Sequence, residues 1–365
     1  MNENILHITA SRGGVEHYVN AIISKSNKYN HHIVKTEDFT LSDNINSSSF
    51  VLNIIQSDNF NIFYDLKNIY KIIINIRNYH HKFNLLHAHS SKGTIYACFI
   101  GLYFNLPVLV SPHSFGYLKF IGIKRRIVFI IENLFSKIFK YHLLVSSNGE
   151  KKIAQDLFYI KNRFICDGYR NSIEVSRYKK NNHNTEKIKI ISVGRMTYQK
   201  NPELFFHISK KILEKYDNVK FIFIGAEFNN KVTKEEQQLI KNNKNQIDII
   251  SWLPKNKLIK TMQEADIYLS TSRYEGLPTV LLFALDYELP IVCTKVIGNN
   301  DLVINGYNGF SSNNTEQLVN DISILINNLN LRKKYGKNGK QLVRKKYNLN
   351  HNIFHLNEIY HNIIK

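Results

Sequence analysis

The chain has few of the residues that mark specialised folds, with 3 Cys, 6 Pro and 16 Gly among 365 residues. Cys98, Cys166 and Cys293 are far apart and form no Cys-x-x-Cys pair, so neither a disulfide framework nor a cysteine metal site can be read from them. A reducing cytoplasm suits this usage. The small numbers of Gly and Pro exclude a fibrous or low-complexity chain.

Long apolar runs and several signature motifs are missing as well. No run approaches the roughly 18 apolar residues that cross a membrane, and residues 1–11 lack the layout of a signal peptide. There is no zinc-finger spacing and no basic, aromatic platform for single strands, so we expect no nucleic-acid partner. Neither Asp-x-Asp nor His-Glu-x-x-His occurs, and we predict no metal cofactor.

Positive charge is what the chain has in excess. It carries 49 Lys and Arg against 29 Asp and Glu, a formal net charge of +20. A basic chain favours an anionic partner, which could be a nucleic acid, an anionic lipid or a phosphorylated substrate, and charge alone does not choose among them. Apolar residues make up 43% of the chain, enough for two hydrophobic cores at this length.

Short apolar runs alternate with longer segments of helical periodicity, which are clearest at 66–79 and 203–216. Runs of this length suit parallel strands covered on both faces, and the alternation predicts an α/β fold. The predicted strands are 5–9, 85–89, 108–111, 143–146, 188–193, 219–224, 247–250, 267–270 and 291–294.

A polar stretch interrupts this pattern near the middle of the chain. Residues 177–186 have no apolar period and are typical of a linker. We therefore predict a first Rossmann-like domain over 1–176, a linker over 177–187, a second such domain over 188–347, and a C-terminal helix over 348–365 that packs back on the body. Two doubly wound domains of this kind would face a central cleft, because ligands bind at the carboxyl ends of parallel strands.

One candidate site follows the strand 188–193. Gly194 permits a tight turn and the close approach of a ligand. Arg195 and Lys200 would then lie at the carboxyl edge of the sheet near a helix N-terminus, where two cations and helical N–H groups suit a diphosphate. The alternative is that both are solvated surface cations.

A second candidate site follows the strand 267–270. Glu275 would lie at the end of this strand, where a carboxylate can accept hydrogen bonds from sugar hydroxyls. The amides of Gly276, Leu277 and Thr279 could face a phosphate, whereas Pro278 has no N–H to offer. The alternative is an ordinary helix start with an exposed glutamate.

The N-terminal half carries further glycines and histidines at predicted strand ends. Gly14 follows a second glycine between a strand and a helix, a layout that suits backbone approach to a polar ligand. His87, His89 and His113 end two neighbouring strands. A His pair at i and i+2 could bind a metal, but no third ligand is evident and a hydrogen-bonded core histidine is the common alternative.

Together these residues resemble glycosyltransferase family 4, retaining enzymes with the two-domain GT-B fold. The resemblance covers nearly the whole chain and keeps the order of the family's motifs. The matching segments are Gly13-Gly14, 87–92, 111–113, 146–150, 171–173, Gly194-Arg195 with Lys200-Asn201, 273–278, and 298–301 with Asn305-Gly306.

The resemblance implies a role for each candidate residue. Arg195 and Lys200 would hold the donor diphosphate and offset the charge of the leaving group, in place of a metal ion. Glu275 would contact hydroxyls of the donor sugar, His113 would lie near the reacting centre, and Gly14 would let the backbone approach donor or acceptor. The activity implied is retaining transfer of a hexose or N-acetylhexosamine, with a UDP-sugar as the default donor.

Two departures from the family pattern concern the nucleotide and the backbone. Phe283 occupies the position of a second glutamate that contacts the ribose in relatives, and it cannot accept those hydrogen bonds. Glu288 stands where relatives usually carry Gly, so a positive φ there would be strained. Ser172 and Asp301 are milder replacements. An alternative function is therefore a diverged member, weakly active or inactive, that acts as a binding protein.

The segment 116–141 interleaves basic and large apolar residues, as amphipathic segments on anionic membranes do. The alternative is a core helix with a solvated basic edge. We predict attachment through Lys119, Lys124, Arg125 and Arg126, at the inner face of the bacterial cytoplasmic membrane. The resemblance implies a lipid-linked acceptor, polyprenyl-diphosphate-linked or lipopolysaccharide, in capsule, O-antigen or lipopolysaccharide synthesis. His89 and Lys92 are further candidates for acceptor or membrane contact.

Overall fold

A computed structural model describes residues 3–10, 14–41, 49–55, 61–77, 79, 83–157, 165–166, 172–176, 187–226 and 234–365. The chain divides into two compact units. The first comprises Met1–Ser172 and Leu349–Lys365, and the second comprises Ile173–Asn348. Residues 177–186 of the predicted linker lie outside the described residues.

Seven parallel strands form the sheet of the first unit: β1 (Asn4–Thr9), β2 (Asn30–Thr36), β3 (Val51–Ile54), β4 (Leu85–His89), β5 (Val108–Ser111), β6 (His142–Leu144) and β7 (Ile165–Cys166). Their order across the sheet is β3-β2-β1-β4-β5-β6-β7. The chain reverses direction across the sheet between β1 and β4, where the carboxyl ends of open parallel strands form a ligand crevice in doubly wound folds.

Helices connect these strands: α1 (Gly14–Lys25), α2 (Ile62–Ile76), α3 (Ser90–Phe104), α4 (Gly122–Ile138) and α5 (Asn148–Leu157). Local chemistry sets several of their ends. The side chain of Asn61 accepts hydrogen bonds from the amides of Phe63 and Tyr64 at the start of α2. At the C-terminal end of α3, Asn105 takes the left-handed conformation that commonly terminates a helix.

The second unit repeats the design with six parallel strands: β8 (Ile188–Val193), β9 (Val219–Ile224), β10 (Asp248–Ile250), β11 (Ile267–Ser270), β12 (Ile291–Thr294) and β13 (Gly309–Ser312). Their order is β10-β9-β8-β11-β12-β13. The helices are α6 (Pro202–Leu213), α7 (Lys234–Asn243), α8 (Lys255–Gln263), α9 (Thr279–Asp286), α10 (Asn299–Leu302), α11 (Thr315–Asn327) and α12 (Leu329–Lys346).

The last helix, α13 (Leu349–Ile364), packs in the first unit against α1 and β4. Tyr360 is completely buried, and Leu356 lies in the same core as Ile5 and Leu85. Ser26 Oγ donates to Asn357 Oδ1 at 2.7 Å, which ties the helix to the end of α1. Burial of such apolar side chains stabilises the docking by roughly 1.5–3 kcal/mol each.

Six predicted strands have the bounds that the structure shows, among them 85–89, 188–193 and 267–270. Their buried apolar runs are long enough to be unambiguous. Strands β2, β3, β7 and β13 were not predicted. In β2 and β13 the sequences, Asn-His-His-Ile-Val-Lys-Thr and Gly-Phe-Ser-Ser, carry too many polar residues. Within the described part of the chain, no helix is both long and apolar enough to cross a membrane.

Candidate active site

The carboxylate of Glu275 lies just past β11, at the carboxyl edge of the sheet of the second unit, and the residue is only 5% exposed. Lys200 Nζ lies 2.6 Å from Oε1, and Ser272 Oγ donates to the same oxygen at 2.7 Å. Gln199 Nε2 donates to Oε2 at 3.2 Å. Donors from two different loops therefore hold this carboxylate in one orientation.

The backbone around Lys200 is shaped to let its side chain reach Glu275. A Cβ at Gly194 would lie 3.2–3.3 Å from the side-chain carbons of Lys200, closer than most real contacts. Thr271 Oγ1 donates to the carbonyls of Lys200 and Asn201, at 3.1 and 3.0 Å. The Lys200 side chain is 25% exposed against 7% for that of Glu275, so solvent reaches the ammonium more than the carboxylate.

The segment after Glu275 brings backbone close to backbone. Gly298 has a φ of 83°, and a Cβ there would lie 2.5 Å from the carbonyl oxygen of Gly276. Pro278 is the N-cap of α9 and Thr279 is its first residue, with no side-chain cap. Leu277 is buried in the core beneath. Helix α9 begins four residues after Glu275, and N–H groups at a helix start attract anions.

Arg195 follows Gly194 and is exposed. Its charge lies near Tyr274: burial and the nearby Glu275 raise the pKa of Tyr274 to about 12, while Arg195 acts in the opposite direction. Arg273 serves a structural contact instead, since its guanidinium stacks over the Tyr198 ring at 4.2 Å. Arg195 is therefore the exposed cation of this loop, beside the Lys200–Glu275 pair.

The two departures from the family pattern have physical consequences. Phe283 packs against the apolar core and stacks on Tyr287, with ring centroids 6.3 Å apart, so an apolar side chain replaces a carboxylate here. Glu288 has a φ of 60°, which confirms the expected left-handed backbone. A Cβ at Gly336 would lie 2.2 Å from the carbonyl oxygen of Glu288, so this neighbour must be glycine.

His113 lies in the first unit, just past β5, with a φ of 52°. The next residue, Ser114, also has a positive φ, 109°, and its amide donates to Glu150 Oε1 at 2.9 Å. The other oxygen of Glu150 accepts from the amide and hydroxyl of Ser146, at 2.9 and 2.8 Å. Glu150 thus joins the ends of β5 and β6 and holds the loop of His113. Burial lowers the pKa of His113 to about 4.

The other candidates of the first unit lie in different surroundings. His89 is completely buried and bonded to His113, with Nδ1 3.3 Å from Nε2. Lys92 Nζ lies 3.3 Å from Asp65 Oδ1, and its side chain is mostly buried. Gly14 is exposed as the first residue of α1. The structure therefore places His89 inside the unit and Lys92 in an ion pair.

The predicted basic segment forms α4, none of whose residues is buried. Lys119 is exposed in the short turn before this helix, and Lys124, Arg125 and Arg126 are exposed near its start. Glu132 accepts hydrogen bonds from the amides of Gly116 and Tyr117, at 2.9 and 3.2 Å, which fixes the turn before the helix. The exposed apolar residues along the helix are Ile121, Ile123, Ile127, Ile130, Ile131, Leu134 and Ile138.

Sequence reasoning missed several residues that shape these sites. Ser272 and Gln199 hold Glu275, and their donors can be assigned only when two loops are seen together. Glu150 was noted only as part of a motif. His7 and His31 carry no local motif, yet they contact the buried histidines behind His113.

The family model for glycosyl transferases group 1 matches residues 176–342, most of the second unit. The second unit therefore resembles glycosyl transferases group 1, and the chain as a whole has the GT-B fold. The chain superimposes on the Anabaena protein HepE, solved in complex with UDP and glucose, with a TM-score of 0.79. That alignment covers 99% of this chain and 100% of HepE at 16% identity.

Two of the curated relatives are named bacterial glycosyltransferases. The UDP-Gal:alpha-D-GlcNAc-diphosphoundecaprenol alpha-1,3-galactosyltransferase of Escherichia coli is 26% identical over 68% of this chain and 66% of its own length. The capsular polysaccharide biosynthesis glycosyltransferase CapM of Staphylococcus aureus is 24% identical over 62% of each chain. This chain therefore spans slightly less than two thirds of either relative.

Proposed function

We propose that the protein transfers a hexose or N-acetylhexosamine from a UDP-sugar to a lipid-linked oligosaccharide, with retention of anomeric configuration, in the synthesis of a bacterial surface polysaccharide. The observation that carries this proposal is the nearly buried Glu275 carboxylate, bound to Lys200 at the carboxyl edge of the sheet. UDP and glucose in HepE, and the diphosphoundecaprenol acceptor in the name of the E. coli relative, support the choice of donor and acceptor.

In the proposed reaction, fixed positive charge takes the place of a metal ion at the leaving diphosphate. Lys200 already lies against one anion, and its partly exposed ammonium can turn to a second. At an effective dielectric constant near 20, a cation about 4 Å from a phosphate charge contributes about 4 kcal/mol. Arg195 adds a second charge from the same loop, so C–O bond cleavage releases UDP against two cations.

Glu275 has a separate role in this proposal. When the diphosphate binds Lys200, Ser272 and Gln199 keep the carboxylate in place. It then accepts hydrogen bonds from hydroxyls of the donor sugar and orients the anomeric carbon. The acceptor hydroxyl attacks that carbon from the face that the leaving group occupied, and its proton passes to the departing diphosphate.

A donor screen tests this function. The purified protein is incubated with UDP- and GDP-sugars and a polyprenyl-diphosphate-linked sugar, and products are identified by mass spectrometry. We expect Lys200→Ala and Glu275→Ala each to lower turnover at least about 100-fold, as loss of a charge-stabilising group does. Lys220→Ala removes a surface ion pair with Asp248 and should keep the wild-type rate. Full turnover in the first two variants would refute the assignment.

A second candidate function is nucleotide-sugar binding without efficient transfer, which Phe283 favours because it removes a carboxylate from the nucleotide side. Binding of UDP measured by calorimetry, with neither transfer nor hydrolysis of any donor, would support this candidate.

Turnover unaffected by EDTA would support the metal-independent mechanism.

We also propose that α4 attaches the protein to the cytoplasmic face of an anionic membrane. Its exposed isoleucines can enter the interface, with Ile123 and Ile138 68% and 70% exposed. Each basic side chain near the surface adds about 1 kcal/mol. Arg125 also lies over the Tyr117 ring at 5.4 Å, which keeps one charge next to the apolar surface.

Liposome flotation tests this attachment. We expect the protein to float with vesicles of anionic lipid at low salt, and the variant with Lys124, Arg125 and Arg126 all changed to Glu to remain in the pellet. A triple Glu variant at exposed basic positions of α12 provides the control with the same change of charge; its positions are Lys333, Lys334 and Lys337. Equal loss of binding in both variants would show that net charge, not α4, determines attachment.

A further inference from the structure

Five histidines lie together on the face of the first sheet that α1 and α13 cover. His31 is on β2, His7 on β1, His87 and His89 on β4, and His113 follows β5. His7 and His87 are directly paired in the strand register, and His89 lies two residues further on the same face. His7, His31, His87 and His89 are buried, so protein groups and not solvent must satisfy their ring nitrogens, whereas His113 is partly exposed.

Four of these rings form one continuous chain of hydrogen bonds. His31 Nε2 lies 3.0 Å from the carbonyl oxygen of Ser26, and His31 Nδ1 lies 2.9 Å from His7 Nε2. His7 Nδ1 lies 3.0 Å from His89 Nε2, and His89 Nδ1 lies 3.3 Å from His113 Nε2. Each link joins the Nδ1 of one ring to the Nε2 of the next.

The first link determines the direction of all the others. A carbonyl oxygen can only accept, so His31 must carry its proton on Nε2, and its Nδ1 must accept from His7 Nε2. The same reasoning assigns the proton to Nε2 of His7, of His89 and finally of His113. In these four rings, every nitrogen except one is thereby assigned a partner. The exception is Nδ1 of His113, whose lone pair can still accept a hydrogen bond.

The assignment requires each ring to be neutral, and burial keeps it so. Burial lowers the pKa of His31 to about 4 despite its bond to the Ser26 carbonyl, which acts in the opposite direction. Burial, together with neighbouring histidines, lowers the pKa values of His7 and His89 well below the ordinary range. At neutral pH each ring therefore has one donor and one acceptor, as the chain needs.

His87 lies beside these four rings, with its ring centroid 4.2 Å from that of His89. Its Nδ1 lies 2.8 Å from the hydroxyl of Tyr360, and its Nε2 lies 2.9 Å from Ser111 Oγ. Hydroxyl groups can either donate or accept, so these partners satisfy His87 without imposing a tautomer on it. Tyr18 packs edge-on against His113, with ring centroids 4.7 Å apart, and limits rotation of the ring.

A metal ion is the competing explanation for this cluster. His7, His87 and His89 offer ring nitrogens within 4.8 Å of one another. However, His7 Nδ1 and His89 Nε2 are bonded to each other, and both nitrogens of His87 are bonded to hydroxyls. A metal would have to displace these bonds in a completely buried position, so the geometry favours the hydrogen-bonded chain.

We propose that His31, His7 and His89 are positioning residues that fix the tautomer of His113, so that its Nδ1 accepts a hydrogen bond from an uncharged hydroxyl of the substrate. The part of this inference that concerns the substrate rests on the proposed sugar transfer; the tautomer itself does not. A ring fixed in this way favours a hydroxyl over a phosphate or carboxylate, because an anion has no proton to donate.

Nitrogen NMR tests the tautomer without any variant. The protein is labelled with ¹⁵N at histidine alone, and long-range ¹H–¹⁵N correlations at pH 7.5 show which ring nitrogen carries the proton. We expect all four rings to be protonated on Nε2 only. A proton on Nδ1 of His113, a charged ring within the chain, or a stoichiometric bound zinc ion would overturn the proposal.

A pair of variants tests the effect on catalysis. His89→Asn keeps an acceptor oxygen near the position of Nδ1, whereas His89→Leu removes it. We expect His89→Leu to lower kcat/KM about tenfold and to mix the tautomers of His113, and His89→Asn to stay within about threefold of wild type. Equal losses with an unchanged His113 spectrum would refute the relay. If the wild type transfers no sugar but shows the expected tautomers, the proposed function fails and the tautomer assignment stands.

Discussion

Acidification from pH 7 to pH 5 should destabilise the first unit through its buried histidines. His31 and His113 have pKa values lowered by burial from 6.5 to about 4. Below pH 6.5 the unfolded chain therefore binds more protons than the folded chain, and the free energy of unfolding decreases as the pH falls. The stability that the neutral histidines contribute is fully present above the unfolded pKa of 6.5. It is lost as the pH falls from 6.5 to about 4.

The magnitude follows from these two pKa values. A histidine with a pKa of 6.5 unfolded and about 4 folded loses about 2 kcal/mol of stability between pH 7 and pH 5. His31 and His113 together lose about 4 kcal/mol, a large part of the stability of an ordinary domain. The change His31→Gln should reduce the loss by about 2 kcal/mol, because one titrating group is removed.

Urea unfolding at both pH values measures this change. Pulsed hydrogen–deuterium exchange with mass spectrometry of peptides from β1 and β4 reports on the first unit separately from the second. The matched control is His207→Gln, since His207 is exposed on α6. If wild type and His31→Gln lose the same stability between pH 7 and pH 5, the buried histidines do not determine the acid sensitivity.

Three further predictions concern the second unit and the cofactor requirement. Gly298→Ala should cost about 1–3 kcal/mol in urea unfolding and weaken UDP binding in calorimetry, because its Cβ would lie 2.5 Å from Gly276 and φ is 83°. Gly122→Ala, with a φ of 59° but nothing within 4 Å, should cost about 1 kcal/mol, and equal costs would refute the argument from crowding. Phe283→Glu should lower the KM for the donor by adding an acceptor for ribose hydroxyls, whereas an unchanged KM would place Phe283 outside the nucleotide site. Removal of divalent ions with EDTA should leave kcat unchanged, and restoration of lost activity by Mg²⁺ would contradict the metal-independent mechanism.

Much of the fold was predictable because its strands are buried on both faces. Six of the apolar runs have the bounds of observed strands, since a parallel sheet between two helical layers requires unbroken apolar segments. Strand β2 was missed for the reason that makes the first unit unusual: His31 and His32 stand inside a strand, where sequence patterns predict apolar residues.

The candidate site, like the fold, has parts that the sequence predicted and parts that only the tertiary structure shows. Lys200 and Glu275 could be predicted, because both follow strands and parallel strands bring their carboxyl ends to one edge. Their 2.6 Å contact, and the hydrogen bonds from Ser272 and Gln199, could not, because they join residues far apart in the chain. Lys92 was predicted to face acceptor or membrane, whereas tertiary packing places it against Asp65.

The sequence by itself determined the α/β class, the two halves and the strand ends that carry Lys200, Glu275 and His113, because period and turn chemistry are local properties. Only the tertiary structure decided which side chains meet. The pairing of His7 with His87 in register, and the carbonyl of Ser26 at the end of the histidine row, depend on how strands align. The proton positions on the histidine rings follow from those contacts, because each donor nitrogen must face an acceptor. The partners come from different strands, so no local sequence pattern predicts them.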